Sequence, residues 1–125
     1  RINTENFSDI SAKIMEKLQA QSIDISQYLE GEVPKDLWDN YIAGDKNIFI
    51  RKIKKYIGKK TSSQIRDHYK QDSDFRKNVD SFVQIFEELL ATFTESTETV
   101  YSETLITSDI GKVYFALAEA TGRLK

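Results

Sequence analysis

The chain has no cysteine, one histidine and one proline among its 125 residues. The absence of cysteine excludes disulfide frameworks, thiolate metal sites and cysteine nucleophiles. A single imidazole, that of His68, likewise excludes a histidine metal cluster, so we expect no cofactor. No apolar run reaches the length of a membrane span, and no signal-type segment opens the chain. Together with the missing cysteines, these observations favour a cytoplasmic protein.

The chain does carry enough apolar surface for one core. Six Tyr, seven Phe and one Trp accompany a dense supply of Ile and Leu, which argues against disorder. Because apolar residues recur every three or four positions, we predict an all-α fold, a compact bundle of five or six helices. The first residue is Arg1 rather than Met, so we expect residues 1–125 to form a single helical domain that is a fragment of a longer protein.

Glycine, proline and capping residues set the expected helix boundaries. Gly44 and Gly58 should end two helices with positive φ, since glycine adopts that conformation at little cost. Asp45 and Thr61 should cap the helices that follow them. The pattern predicts helices over about 4–20, 34–43, 45–57, 61–71, 72–94 and 108–122, with connections over 22–32 and 94–99.

The longest predicted helix, over about 72–94, is too apolar to bury only one narrow stripe. We therefore expect it to lie at the centre of the bundle, with neighbours on more than one side. Its eight periodic apolar residues are Phe75, Val79, Phe82, Val83, Phe86, Leu89, Leu90 and Phe93.

Charge is sorted along the chain. Residues 1–45 carry 4 basic and 9 acidic side chains, residues 46–77 carry 11 and 3, and residues 78–125 carry 3 and 8. The net charges are therefore −5, +8 and −5, although the whole chain has a net charge of only −2. We call its densest part, residues 46–60, the basic segment. Its candidate partner-binding residues are Lys46, Arg51, Lys52, Lys54, Lys55, Lys59 and Lys60.

The basic segment has two interpretations. If apolar residues such as Ile53 and Ile57 face inward, the cations form one exposed face that lines no pocket. Such a face could neutralise the phosphates of nucleic acid or of an anionic lipid surface. Alternatively, its charges could meet acidic segments of the same chain or of a protein partner. We favour the second interpretation, because a pI near 5.5 is far from that of nucleic-acid-binding domains.

Two short patterns invite a functional interpretation that they do not support. A phosphate-binding loop needs two glycines bracketing four residues before its Lys, and Gly111-Lys112 lacks the first of them. We expect instead that Ser108 or Asp109 caps the last helix and that Gly111 permits close approach of a neighbouring helix. A second pattern, the aromatic cluster of Trp38, Tyr41 and Phe49, is expected to be core rather than a cofactor site.

Groups for acid–base catalysis do not converge either. Asp67 and His68 are adjacent and diverge on a helix, whereas His68 and Asp72 are four residues apart and could pair at the surface. Glu87 or Glu88 could form a buried ion pair with a basic flank, but no second carboxylate stands at a catalytic spacing. We therefore expect no enzymatic activity.

Several motifs in residues 34–124 together resemble one group of proteins. They include Trp38-x-x-Tyr41-x-x-Gly44-Asp45-Lys46, Asp74-Phe75-Arg76, Phe86-Glu87-x-Leu89-Leu90 and Ser108-Asp109-x-Gly111-Lys112-Val113-Tyr114. The chain is similar there to the helical C-terminal region of long, poorly characterised bacterial proteins, chiefly alphaproteobacterial, some labelled kinesin-like or coiled-coil. The resemblance implies a fragment of a larger protein and brings no activity.

We therefore expect a non-catalytic protein-interaction domain of a larger bacterial protein. It would dock to a protein partner or to other parts of its own chain. The alternative is a helical domain that binds nucleic acid or an anionic surface through residues 46–60.

Overall fold

A computed structural model describes residues 4–95 and 104–124. Within these ranges the chain is helical and has no strand, which confirms the predicted all-α bundle. A single helical turn covers residues 104–107. The longer helices are α1 (Thr4–Glu30), α2 (Lys35–Ile42), α3 (Ile48–Gly58), α4 (Ser62–Gln71), α5 (Ser73–Glu95) and α6 (Asp109–Ala120).

The helix α5 lies at the centre of the bundle, as its sequence predicts. It packs against α1, α4 and α6. Leu90 and Phe93 are half-buried against the same core. Of the predicted connection over 94–99, residues 94 and 95 continue α5, and 96–99 lie outside the described residues. The fully enclosed side chains of α5 are Phe75, Val79, Phe82, Val83, Phe86 and Leu89.

The helix α1 is longer than its sequence predicts, and the expected connection over 22–32 is wrong for residues 22–30, whereas 31 and 32 do lie outside the helix. The helix runs on to Glu30, and Gly31 follows it with a φ of +77°. Ser22 and Ser26 interrupt the apolar pattern of this stretch, yet both are buried. The sequence pattern thus misses ten residues of helix because two polar side chains occupy inward positions.

Hydrogen bonds explain how the core accommodates these two serines. The Ser22 hydroxyl donates to the Leu18 carbonyl oxygen at 2.7 Å, one turn earlier in α1. The Ser26 hydroxyl donates to the Phe49 carbonyl oxygen of α3 at 3.4 Å. A buried hydroxyl with such a partner avoids the free-energy cost of losing water. Packing against α3 and α5 then keeps the helix intact.

The connection between α2 and α3 agrees with expectation at Gly44 and differs from it at Asp45. Gly44 has a φ of +122°, which confirms the prediction for that glycine. Asp45 does not cap α3. The residue before the helix is Asn47, which makes no side-chain capping bond, and Asp45 contacts Arg51 instead. The carboxylate that the sequence assigns to a cap is therefore used in an ion pair.

The prediction for the end of α3 is wrong, whereas the prediction for the start of α4 is confirmed. Gly58 is the last residue of α3 and keeps a right-handed helical conformation, so its predicted positive φ is wrong. Thr61 caps α4 as predicted. Its hydroxyl accepts from the Gln64 backbone N–H at 3.1 Å, and the Gln64 side chain accepts from the Thr61 N–H at 2.9 Å.

The last helix begins where the sequence predicts. Ser108 Oγ accepts a hydrogen bond from the Gly111 N–H at 3.2 Å, which confirms Ser108 as the cap. A Cβ atom at Gly111 would collide with the carbonyl oxygens of Leu105 and Ile106. The close neighbour of Gly111 is thus the preceding helical turn rather than a separate long helix. Gly122 follows the helix with a φ of +84°.

A small second cluster holds α2 against α3. Phe49 is fully buried, and its ring centroid lies 5.1 Å from that of Trp38 and 5.5 Å from that of Tyr41. The expectation that these aromatics form core is confirmed. Ile42 of α2 is 75% exposed, and Ile10 of α1 is exposed as well. Across the described parts of the chain, no helix combines the length and the apolar content needed to cross a bilayer.

Candidate interaction surface

The basic segment is presented mainly by α3, which packs between α1 and α6. Ile50 and Ile53 face inward and are almost completely buried. The charged residues of the helix point away from these two positions because successive side chains are rotated by about 100°. We define the basic face as the exposed side of this region, formed by Arg51, Lys54, Lys55 and Lys59.

Two members of the basic face are paired with carboxylates of the same chain. Arg51 forms an ion pair with Asp45, just before α3. Lys54 Nζ donates to Asp109 Oδ1 at 2.9 Å, which links α3 to the first turn of α6. The hydrogen bond that Arg51 donates to Asp45 raises the pKa of Arg51, and the hydrogen bond that Lys54 donates to Asp109 lowers the pKa of Asp109. Both acidic flanks of the sequence therefore supply a carboxylate to this face.

Three other residues of the basic segment contact aromatic rings or residues of α1. Lys46 Nζ lies 4.1 Å from the centroid of the Tyr41 ring, and Lys60 Nζ lies 5.4 Å from that of Tyr56. Both distances fit a cation–π contact. Lys52 is half-buried and lies alongside α1 residues. The expectation that Lys52 belongs to one exposed face is therefore wrong, whereas Lys46 and Lys60 are exposed.

Lys55 and Lys59 differ from the other cations of the segment. Both are exposed, and neither forms an ion pair with a carboxylate in residues 4–95 or 104–124. The sequence from 46 to 66 contains eight basic residues and no acidic one, so no local carboxylate offsets them. These two ammonium groups leave the C-terminal part of the basic face with positive charge that the described chain does not neutralise.

A groove that the sequence does not predict opens beside the C-terminal end of α3. Its volume is about 380 Å³, and it lies between α3, α4 and the start of α5. Tyr56, His68 and Phe75 supply aromatic walls, and the polar lining includes Lys60, Asp67 and Gln71. The expectation that the basic segment lines no pocket is therefore wrong for Lys60.

The wall of this groove contains the only imidazole of the chain. The ring of His68 stacks on that of Phe75, with centroids 4.0 Å apart and planes within 4°. His68 Nε2 lies 3.3 Å from the Tyr28 hydroxyl and 3.6 Å from Asp72 Oδ2. Burial, assisted by the charge of Lys60, lowers the pKa of His68 below its ordinary 6.5. Because the pKa lies below 6.5, the ring is neutral at pH 7 despite the nearby carboxylate of Asp72.

No sequence signal could have placed Tyr28 beside His68, because the two residues are 40 positions apart. The spacing of four residues between His68 and Asp72 was the only available indication, and the two side chains do approach each other. The contact from α1 depends on the unforeseen length of that helix.

Two tyrosine hydroxyls form hydrogen bonds with carboxylates that join parts of the fold. The Tyr114 hydroxyl donates to Glu87 Oε2 at 2.9 Å, and burial raises the pKa of Tyr114 to about 12. Glu87 is exposed, so the suggested buried ion pair with a basic flank is not formed there. The Tyr69 hydroxyl donates to Asp80 at 2.6 Å. Within the described ranges, no three His, Asp or Glu side chains are grouped as metal ligands would be.

Comparisons with protein-family models, with curated proteins and with solved structures found no match to this chain. The resemblance in residues 34–124 is not tested by these comparisons and stays a prediction.

Proposed function

We propose that this chain is a non-catalytic interaction domain that docks through its basic face onto an acidic surface of a protein partner. The observation that carries the proposal is the exposure of Lys55 and Lys59 without a carboxylate partner in the described chain. A matching acidic surface would supply the missing counter-charges. Charge complementarity of this kind speeds association and selects among partners.

Two carboxylates within the surface favour a protein partner over nucleic acid. Asp45 and Asp109 have side chains that are 39% and 38% exposed, and both lie beside basic residues of the face. A phosphate backbone laid along α3 would meet these two negative charges. A protein partner can present its carboxylates to Lys55 and Lys59 alone and avoid the repulsion.

The wider biological setting is part of the same proposal. The motifs in residues 34–124 support a place within a larger bacterial protein, and the absence of cysteine supports the cytoplasm. Other acidic parts of the full-length protein are alternative occupants of the basic face.

The experiment compares a carboxylate probe with a phosphate probe. Fluorescein-labelled decaglutamate and a labelled 20-base-pair DNA duplex are titrated with the domain at about 0.15 M salt, and binding is followed by anisotropy. We expect measurable decaglutamate binding and no sub-micromolar duplex binding, since non-specific phosphate contacts are weak at that salt concentration.

Charge reversal assigns the binding to the basic face. The double substitution Lys55→Glu and Lys59→Glu should weaken decaglutamate binding by roughly tenfold or more, equivalent to about 1.4 kcal/mol. The matched control reverses Lys13 and Lys77, two exposed lysines on α1 and α5, and should leave the affinity nearly unchanged. Equal losses in both double variants would show a mere net-charge effect and refute the proposed site.

The second candidate is binding of nucleic acid or another phosphate-bearing surface. The run of eight cations without an acid over 46–66 is the observation that favours it. Sub-micromolar duplex binding that is lost when Lys55 and Lys59 are reversed would establish this candidate in place of the protein-docking one.

A further inference from the structure

The groove beside the basic face has the walls of a site for an aromatic group. Tyr56 and His68 are half-buried, and Phe75 forms part of the interior behind them. A volume of about 380 Å³ falls within the range of small-ligand sites and exceeds that of one aromatic side chain. Offset and edge-to-face packing of another ring against such walls is favourable.

The imidazole behaves as part of this aromatic wall. One side of the His68 ring stacks on Phe75, and the His68 side chain remains 32% exposed. Because burial keeps the ring neutral at pH 7, an entering apolar group does not have to displace the hydration of a charge. The stack and the contact with Tyr28 hold the ring in place before anything binds.

Two residues that line the groove follow, in sequence, the two lysines that have no carboxylate partner in the described chain. Tyr56 directly follows Lys55, and Lys60, at the groove edge, directly follows Lys59. Lys60 is exposed and contacts the Tyr56 ring rather than a carboxylate in the described chain. Lys60 lines the groove together with one carboxylate, that of Asp67, so the positive charge that would attract an acidic segment is that of Lys55 and Lys59, outside the groove.

We propose that the groove receives an aromatic side chain from an acidic peptide segment of the partner, whose carboxylates lie against Lys55 and Lys59. The inference rests on the docking function proposed above and names the chemistry of the partner. The aromatic group provides apolar burial in the groove, and the flanking carboxylates provide the charge complementarity.

The test uses two peptides that differ in one side chain. Each contains five Glu, one central residue and five Glu, with Trp at the centre of one peptide and Ser at the centre of the other, and both carry fluorescein. We expect the domain to bind the Trp peptide roughly tenfold more tightly, as burial of most of one aromatic side chain permits. Reversal of Lys55 and Lys59 should weaken binding of both peptides.

Occlusion of the groove provides the matched variant. Gln71→Trp places an indole at the groove edge and should remove the advantage of the Trp peptide while leaving the affinity for the Ser peptide unchanged. Gln84→Trp is the control, because Gln84 is exposed on α5 and does not line the groove. It should retain the tenfold difference.

The wild-type chain supplies a readout that needs no substitution. His68 is the only histidine, so its imidazole Cε1–H gives one proton resonance. We expect the Trp peptide, through the ring current of its indole, to shift this resonance far more than the Ser peptide does. This measurement keeps the inference testable even if Gln71→Trp fails to fold.

The outcomes separate this inference from the docking proposal. Equal affinities for the two peptides, both dependent on Lys55 and Lys59, would overturn the groove inference and leave docking intact. Absence of binding by either peptide would overturn both. If N-acetyltryptophan amide alone shifted His68 at comparable concentration, the groove would be a small-molecule site and the peptide inference would fail.

Discussion

Lys54 and Asp109, 55 positions apart in sequence, form a hydrogen-bonded ion pair at 2.9 Å between α3 and α6. Their side chains are 44% and 38% exposed, so water screens the attraction. Asp109 also experiences the charges of Lys112 and Arg51. The pair joins the basic segment to the acidic C-terminal part of the same chain, and Lys54 is therefore less available to a partner than Lys55.

A double-mutant cycle on this pair should reveal a small coupling. Lys54→Gln and Asp109→Asn should each destabilise the domain by up to about 1 kcal/mol, and the double variant should cost less than the sum of the two. The folded-state pKa of Asp109 lies below its ordinary 3.8, so the stabilisation is complete above 3.8 and is lost as pH falls through the folded pKa. Urea unfolding at neutral and acidic pH measures both effects, and strictly additive single effects would contradict the pairing.

Two glycines should respond oppositely to alanine. At Gly111 a Cβ would lie 2.6 Å from the Ile106 carbonyl oxygen and even closer to that of Leu105, and backbone atoms cannot rotate away. Gly111→Ala should therefore destabilise by about 1–3 kcal/mol. Gly58 has open space around it and a helical conformation, so Gly58→Ala should stabilise by about 0.4–1 kcal/mol. Thermal and urea unfolding compare the two, and destabilisation at Gly58 would contradict the assigned helix end.

Removal of the Phe86 ring should create a cavity at the centre of the bundle. Phe86 is completely buried and stacks on Tyr114 with ring centroids 4.3 Å apart. Phe86→Ala should lower the free energy of unfolding by about 3–5 kcal/mol. A loss of this size is enough to unfold a domain of ordinary stability. Ile42→Ala, at a helical position that is 75% exposed, should change stability by less than about 0.5 kcal/mol. Unchanged melting of Phe86→Ala would mean that the core is misplaced.

The stability of the domain should depend on pH through His68. Its folded-state pKa lies below 6.5, so the unfolded chain binds more protons between the folded pKa and 6.5. Stability is therefore greatest above 6.5 and decreases as pH falls through the folded pKa. Proton NMR of the single imidazole measures that pKa directly. Lys60→Gln should raise it because a repelling charge is removed, whereas Lys55→Gln should leave it nearly unchanged. A His68 pKa at or above 6.5 in the wild type would contradict the burial.

Local sequence patterns predicted the elements whose causes are local. The apolar period from Phe75 to Leu89 placed α5, and it did so because a helix brings every third and fourth residue to one side. Thr61 and Ser108 were recognisable as caps because their hydroxyls bond to an N–H only three residues away. The basic residues of α3 were likewise expected at the surface, since the apolar residues between them take the inner side.

Tertiary packing decided the features that join distant parts of the chain. The sequence by itself determined an all-α bundle with a central α5 and a basic stretch, because helical period and charge are properties of neighbouring residues. It did not determine that Ser26 is buried against the Phe49 carbonyl, that Tyr28 contacts His68, or that Asp109 neutralises Lys54. These contacts span 23, 40 and 55 residues, and they exist only because packing brings α1, α3, α4 and α6 together. The free energy of burial then overrides the local preference that would have ended α1 early.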